Sequence, residues 1–138
     1  RIQSVLVADL PIEEKVETVV RTYIRQIREN PYLPLYVVSE INRNPEEMKE
    51  RLRSMGVAPF DDLDRLDAQL DRAAEAGTLR PISAEQFVVN ILSLCIFPFI
   101  GRPLIETVLD MDPSAFEAFL EERAETLPSI VMAGLRPE

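Results

Sequence analysis

With 138 residues, 46% of them apolar and 28% charged, the chain can bury a core of its own as one soluble globular domain. The balance is acidic, with 24 Asp plus Glu against 15 Lys plus Arg and a formal charge of −9. Binding to nucleic acid depends on concentrated Lys and Arg, so this chain alone is a poor DNA binder. Its one cysteine, Cys95, excludes an intrachain disulfide and fits a reducing, cytoplasmic setting.

Arg1 is followed by Ile2, Val5 and Leu6 at helical spacing. The chain is therefore expected to begin within a helix, with residues 1–10 as the tail of something N-terminal. Pro11 opens the first complete helix, 12–29, in which Ile12, Val16, Val19, Val20, Tyr23, Ile24 and Ile27 follow a 3.6-residue period. A shorter helix over 31–42 should turn Leu33, Tyr36, Val37 and Ile41 inward, with Pro34 loosening its first turn. Residues 45–55 are polar, and only Met48, Leu52 and Met55 are expected to face the core. From Asp61 to Ala76, Leu63, Leu66, Leu70, Ala73 and Ala74 share one face, and Gly77 ends the pattern. Three helix starts share one punctuation, Asn30-Pro31, Asn44-Pro45 and Asp112-Pro113, each an Asn or Asp cap followed by proline at the first helical position.

Ser83 and Gln86 form a capping box before an apolar run from Phe87 to Ile100, interrupted only by Asn90, Ser93 and Pro98. A helix oily on nearly every side should be buried on nearly every side. The run falls short of the roughly 20 residues a bilayer span requires. Pro98 lacks the N–H that would bond the Leu94 carbonyl, so a kink is expected there. The last helix starts at Asp112; Phe116, Phe119, Leu120, Leu127, Ile130 and Val131 form its stripe, while Glu117, Glu121, Glu122 and Arg123 stay wet and Pro128 bends it. No segment alternates with period two, so the fold class is all-α, a compact bundle of about seven helices in a single domain.

Catalytic chemistry finds little to work with. There is no histidine, which removes the commonest metal ligand and general base. The acidic run DDLDRLD at 61–67 has helical leucine spacing rather than the alternating ligands and central glycine of a calcium loop, so Asp61 and Asp62 read as a solvated helix start. Cys95 lies between Leu94 and Ile96, where burial makes a thiol inert. No metal, cofactor or catalytic residue is expected, and the chain does not read as an enzyme. Asn90 and Ser93 share one side of the central helix with Gln86 and Phe97, and as buried polar groups they would need partners from a ligand, a second subunit or the bundle's own backbone. Tyr23, Tyr36, Phe60 and Phe87 fall on inward stripes of four helices and read either as core or as the wall of an apolar pocket.

The order of these motifs resembles the C-terminal domain of TetR-family transcriptional regulators. The resemblance runs through the Pro11 helix, ENPYLPLYVVSEINRNPE at 29–46, AEAGTLRPISAEQ at 74–86, the apolar helix and the DPSAF start of the last helix. It implies a ligand-sensing, homodimerising domain of a cytoplasmic repressor, with no membrane partner, that meets DNA only through an N-terminal helix-turn-helix domain absent from this sequence. In such a domain the 12–29 helix relays a small hydrophobic effector's binding to the DNA-reading part. The pocket would be lined by Tyr23, Ile27, Tyr36, Phe60, Leu63, Leu66, Phe87, Asn90, Ile91 and Leu94. The dimer interface, built from the last two long helices, would take Val89, Ser93, Ile96, Phe97, Ile100, Phe116, Phe119, Leu120, Leu127, Ile130 and Val131. The alternative is a structural or protein-interaction bundle with no small-molecule site, which predicts a packed interior.

Overall fold

The computed structural model describes residues 2–56 and 62–138, in eight α-helices with no strand among the described residues. In chain order these are α1 (Ile2–Val7), α2 (Ile12–Glu29), α3 (Leu33–Arg43), α4 (Pro45–Ser54), α5 (Leu63–Glu75), α6 (Ala84–Ile100), α7 (Arg102–Val108) and α8 (Pro113–Gly134). The architecture is all-α, as the absence of period-two alternation requires.

Helix α2 packs against α8, α6 and α1, and α6 also meets α3, α5 and α7. The core is therefore shared between two helices rather than built around α6 alone. Val16, Val19, Val20 and Ile24 of α2 are buried with Phe87, Ile91 and Cys95 of α6, Leu66 and Leu70 of α5, and Phe116, Leu120 and Leu127 of α8. Each large apolar side chain removed from water in this way contributes roughly 1.5–3 kcal/mol. The C-terminal end docks too: Leu135 is buried, and its carbonyl accepts the Arg80 N–H at 2.9 Å.

Two of the expected caps are made. Asp112 accepts from the Ala115 N–H at 2.7 Å and Ser83 from the Gln86 N–H at 3.2 Å, each filling one of the free amides at a helix start. Asn44 occupies the cap position of α4 without a side-chain bond, and α3 begins only at Leu33, after Tyr32. At the other end of α5, Gly77 takes a φ of +77°, and the Thr78 N–H closes the turn onto the Ala73 carbonyl at 3.0 Å.

Four expectations give way. Leu33 and Tyr36 point outward, 52% and 46% exposed, because among the described residues α3 packs mainly on α4 and α6, which leave that side uncovered. Met55 is exposed as well, leaving Met48 as the buried residue of α4. The sharp bend lies beyond Pro98: α6 stays helical to Ile100, and α7, unanticipated, leaves it at 73° through Gly101. A Cβ on Gly101 would come within 2.8 Å of the Phe97 ring, so the close approach there requires glycine. Lastly, Arg123 is not wet. Its Nε and Nη2 donate to the Leu94 carbonyl at 3.1 and 2.8 Å, the very acceptor that Pro98 leaves without a helical partner. Burial pushes the pKa of this guanidinium down, yet the bond locks α8 to α6. No single helix is long and apolar enough to cross a membrane among the described residues.

Candidate functional site on helices α6 and α8

Helix α6 is oily all round but not covered all round. Its inner face, Phe87, Ile91 and Cys95, is buried, while Val89 and Phe97 on the other side are 56% and 53% exposed. Asn90 and Ser93 lie on this outer side, exposed, where water can serve their hydrogen bonds. They are not the buried polar pair that the sequence pattern implies. Across from them on α8, Ile130 is 57% exposed. Between the two helices runs a groove of about 340 Å³ whose lining includes Asn90, Ser93, Leu94, Ile130 and Val131, with Phe87 and Leu135 at its base.

Of the residues assigned to a dimer interface, Val89, Ser93, Phe97 and Ile130 are thus exposed on this face, and Ile96, Ile100, Phe119 and Val131 are half-buried. Phe116, Leu120 and Leu127 are different: all three are almost wholly buried inside the protomer and leave a partner nothing to touch. That assignment is corrected. The last helix needs two apolar stripes, one for its own core and one for the outside, and a single list of its oily residues merges them.

The residues assigned to an internal pocket divide similarly. Leu66, Phe87, Ile91 and Ile27 are buried, Tyr23 and Leu63 are half-buried, and Phe60 lies outside the described residues. Tyr23 lines, with Ile91, a cavity of about 10 Å³ enclosed by α1, α2 and α6, room for roughly one water. Burial, followed by the nearby Cys95 sulfur, raises the pKa of the Tyr23 hydroxyl. Tyr36 stands apart on the surface, accepting a hydrogen bond from Arg51 at 2.9 Å that ties α3 to α4. Asn90 and Leu94, also assigned to the pocket, belong to the α6–α8 groove.

Cys95 is buried and its pKa is pushed up to about 12, chiefly by desolvation, with the Arg123 charge opposing. Such a thiol is protonated at neutral pH and is no nucleophile. No cluster of three or more metal-ligating side chains occurs among the described residues.

The sequence reading missed three polar groups. Lys15 is almost wholly buried, with Nζ donating to the Leu6 carbonyl at 2.7 Å and to Gln69 Oε1. Burial, then the charge of Arg65, lower its pKa, while Asp9 acts the other way. Asp67 caps α6 from α5, accepting the Ala84 N–H at 2.9 Å. Arg123 is the third. Signals existed for two of them: Lys15 sits one turn after Ile12 on the apolar face, and Pro98 announces an acceptor at Leu94 in want of a donor.

A family model described as the Tetracyclin repressor-like C-terminal domain matches residues 13–131, from the first turn of α2 to near the end of α8. The chain belongs to this TetR-like family of C-terminal domains. No curated protein matches it closely enough to count as a relative.

Proposed function

We propose that this TetR-like domain is the regulatory part of a transcriptional repressor. It pairs with a second copy of itself, binds a small apolar effector, and sets the DNA affinity of a helix-turn-helix domain N-terminal to it. The observation that carries the pairing is the exposure of Val89 and Phe97 on the outer side of α6 together with that of Ile130 in the α6–α8 groove. Exposed apolar surface of this kind marks an interaction site. On this reading the interface uses Val89, Ser93, Ile96, Phe97, Ile100, Phe119, Ile130 and Val131. Light scattering should report a dimer for this chain. The paired change Val89→Glu and Ile130→Glu, on exposed positions, should weaken self-association by about 100-fold or more with the helical circular dichroism unchanged. A wild-type monomer refutes the pairing.

Effector binding between α2 and α6 needs more room than the described residues leave there. Ligand pockets are commonly on the order of 300–1,000 Å³, against about 10 Å³ between α1, α2 and α6. An effector entering there must part α2 from α6, and α1, packed on α2, would be carried along. A ligand shifts the equilibrium only by its differential affinity for the parted form. Reading the coding sequence upstream of Arg1 tests the regulator directly, since the absence of a helix-turn-helix there ends that reading.

The tight packing between α2 and α6 also favours a second reading, a protein-interaction bundle with no small-molecule site. A panel of apolar compounds carrying one or two polar groups separates the two. A saturable rise in melting temperature with one compound supports the effector, and none with any, while the dimer persists, selects the bundle.

A further inference from the structure

A second groove, of about 300 Å³, opens where the end of α1 meets α2 and α5. Arg65, Gln69 and Arg72 reach it from one face of α5, at i, i+4 and i+7. Lys15 of α2 contributes a side chain only 1% exposed, and Asp9 is the one acid in the lining. Three cations against one carboxylate leave this groove positive on a protein of formal charge −9.

The hydrogen bonding there is directional. An ammonium has three donors, and Lys15 directs two of them, to the Leu6 carbonyl and to Gln69 Oε1. Gln69 is fixed in turn, its Nε2 donating to the Leu10 carbonyl at 2.7 Å. One Lys15 donor remains. The guanidiniums of Arg65 and Arg72 make no hydrogen bond or ion pair among the described residues, whereas those of Arg21, Arg28, Arg51 and Arg102 each hold a carboxylate. Asp9 answers only one of these three positive charges, and an anion arriving beside the buried Lys15 would relieve the remainder.

We propose that this groove is a binding site for a small anion, a phosphate or carboxylate group held between the Arg65 and Arg72 guanidiniums and the third N–H of Lys15. Guanidinium forks suit both oxyanions, and Lys15 adds a point charge at the floor. Asp9 opposes one of the three charges and leaves the balance favourable. The site is separate from the α6–α8 face and from the interior between α2 and α6, so it stands whether or not an effector enters there. Because Lys15 already holds the last turn of α1, the anion would reinforce the seam that joins α1 to α5.

Calorimetric titration with inorganic phosphate, and separately with succinate, at constant ionic strength set by sodium chloride, tests this. Saturable one-to-one binding of either is expected, and which of the two binds identifies the headgroup. Arg65→Ala and Arg72→Ala, both on exposed side chains, should each weaken binding by about tenfold, while Arg53→Ala on α4 changes nothing. No saturation with either anion, or affinities unaltered by the two α5 changes, overturns the site. Lys15→Gln should weaken binding as well, but the arginine variants decide the matter if that protein does not fold.

Discussion

Helices α2 and α3 carry apolar residues at similar spacing, yet α2 buries Val16, Val19, Val20 and Ile24 and α3 buries nothing. The difference is in the neighbours. Helix α2 has α1, α6 and α8 around it, while among the described residues α3 packs chiefly on α4 and less on α6. Periodicity says which residues share a face; it does not say whether another element arrives to cover that face. The same lesson applies within α6, where Ile91 and Val89, two residues apart, end in the core and on the surface.

Truncation separates the two helices by the largest margin. Ile24→Ala in α2 should cost about 2–5 kcal/mol by lost burial and the cavity left behind. Leu35→Ala on the exposed side of α3 should stay within about 0.5 kcal/mol. Urea unfolding measures both, and similar losses at the two sites would mean that α3 is covered in solution.

A smaller effect is expected where polar groups join the core helices. Arg123→Ala leaves the Leu94 carbonyl without its donor and should cost about 1–3 kcal/mol. Pro98→Ala returns a backbone N–H to that carbonyl, so in its background the Arg123 change should cost less. A double-mutant cycle with no coupling between the two would show that the Arg123 bond is not a substitute for the missing helical one.

A further effect, confined to alkaline conditions, concerns pH. Folding holds the Cys95 thiol at about 12, above its ordinary 9.0. Between those values the unfolded chain sheds a proton that the folded one keeps, so stability falls as pH rises through this window and is unaffected below it. Cys95→Ala should flatten that alkaline slope relative to wild type. Tyr23, also raised by burial, acts in the same direction, and Lys15, lowered by burial, acts against it. An unchanged slope in Cys95→Ala would place the thiol in contact with water.

Much of the bundle was legible because helix boundaries are local chemistry. Asp112 and Ser83 each bond an amide three residues away, a relation written within one turn of chain. Helix α7 was not legible. It spans only Arg102–Val108 and follows directly on an apolar run, with no cap of its own beyond Gly101. Its direction depends on Phe97 lying against a residue that lacks a side chain. The site was half legible: Val89, Phe97 and Ile130 could be named from pattern, but separating them from Phe116, Leu120 and Leu127 requires knowing where α2 lies. Asn90 and Ser93 misled for the same reason, since a polar residue in an oily run means burial only if the run is enclosed. Arg123 was hidden by its company, with Glu121 and Glu122 beside it.

The bond from Asp67 to the Ala84 amide ties the first turn of α6 to a residue 17 positions earlier. A helix start capped from within its own turn can form before anything docks on it. Part of this one is completed only when α5 is already in place. Helices α5 and α6 should then open and close as one cooperative unit, with the Ala84 amide exchanging its hydrogen at the rate of the α5 seam rather than of a fraying end. The aspartates of the acidic run thus include one that fastens the most apolar helix in the chain to its cover.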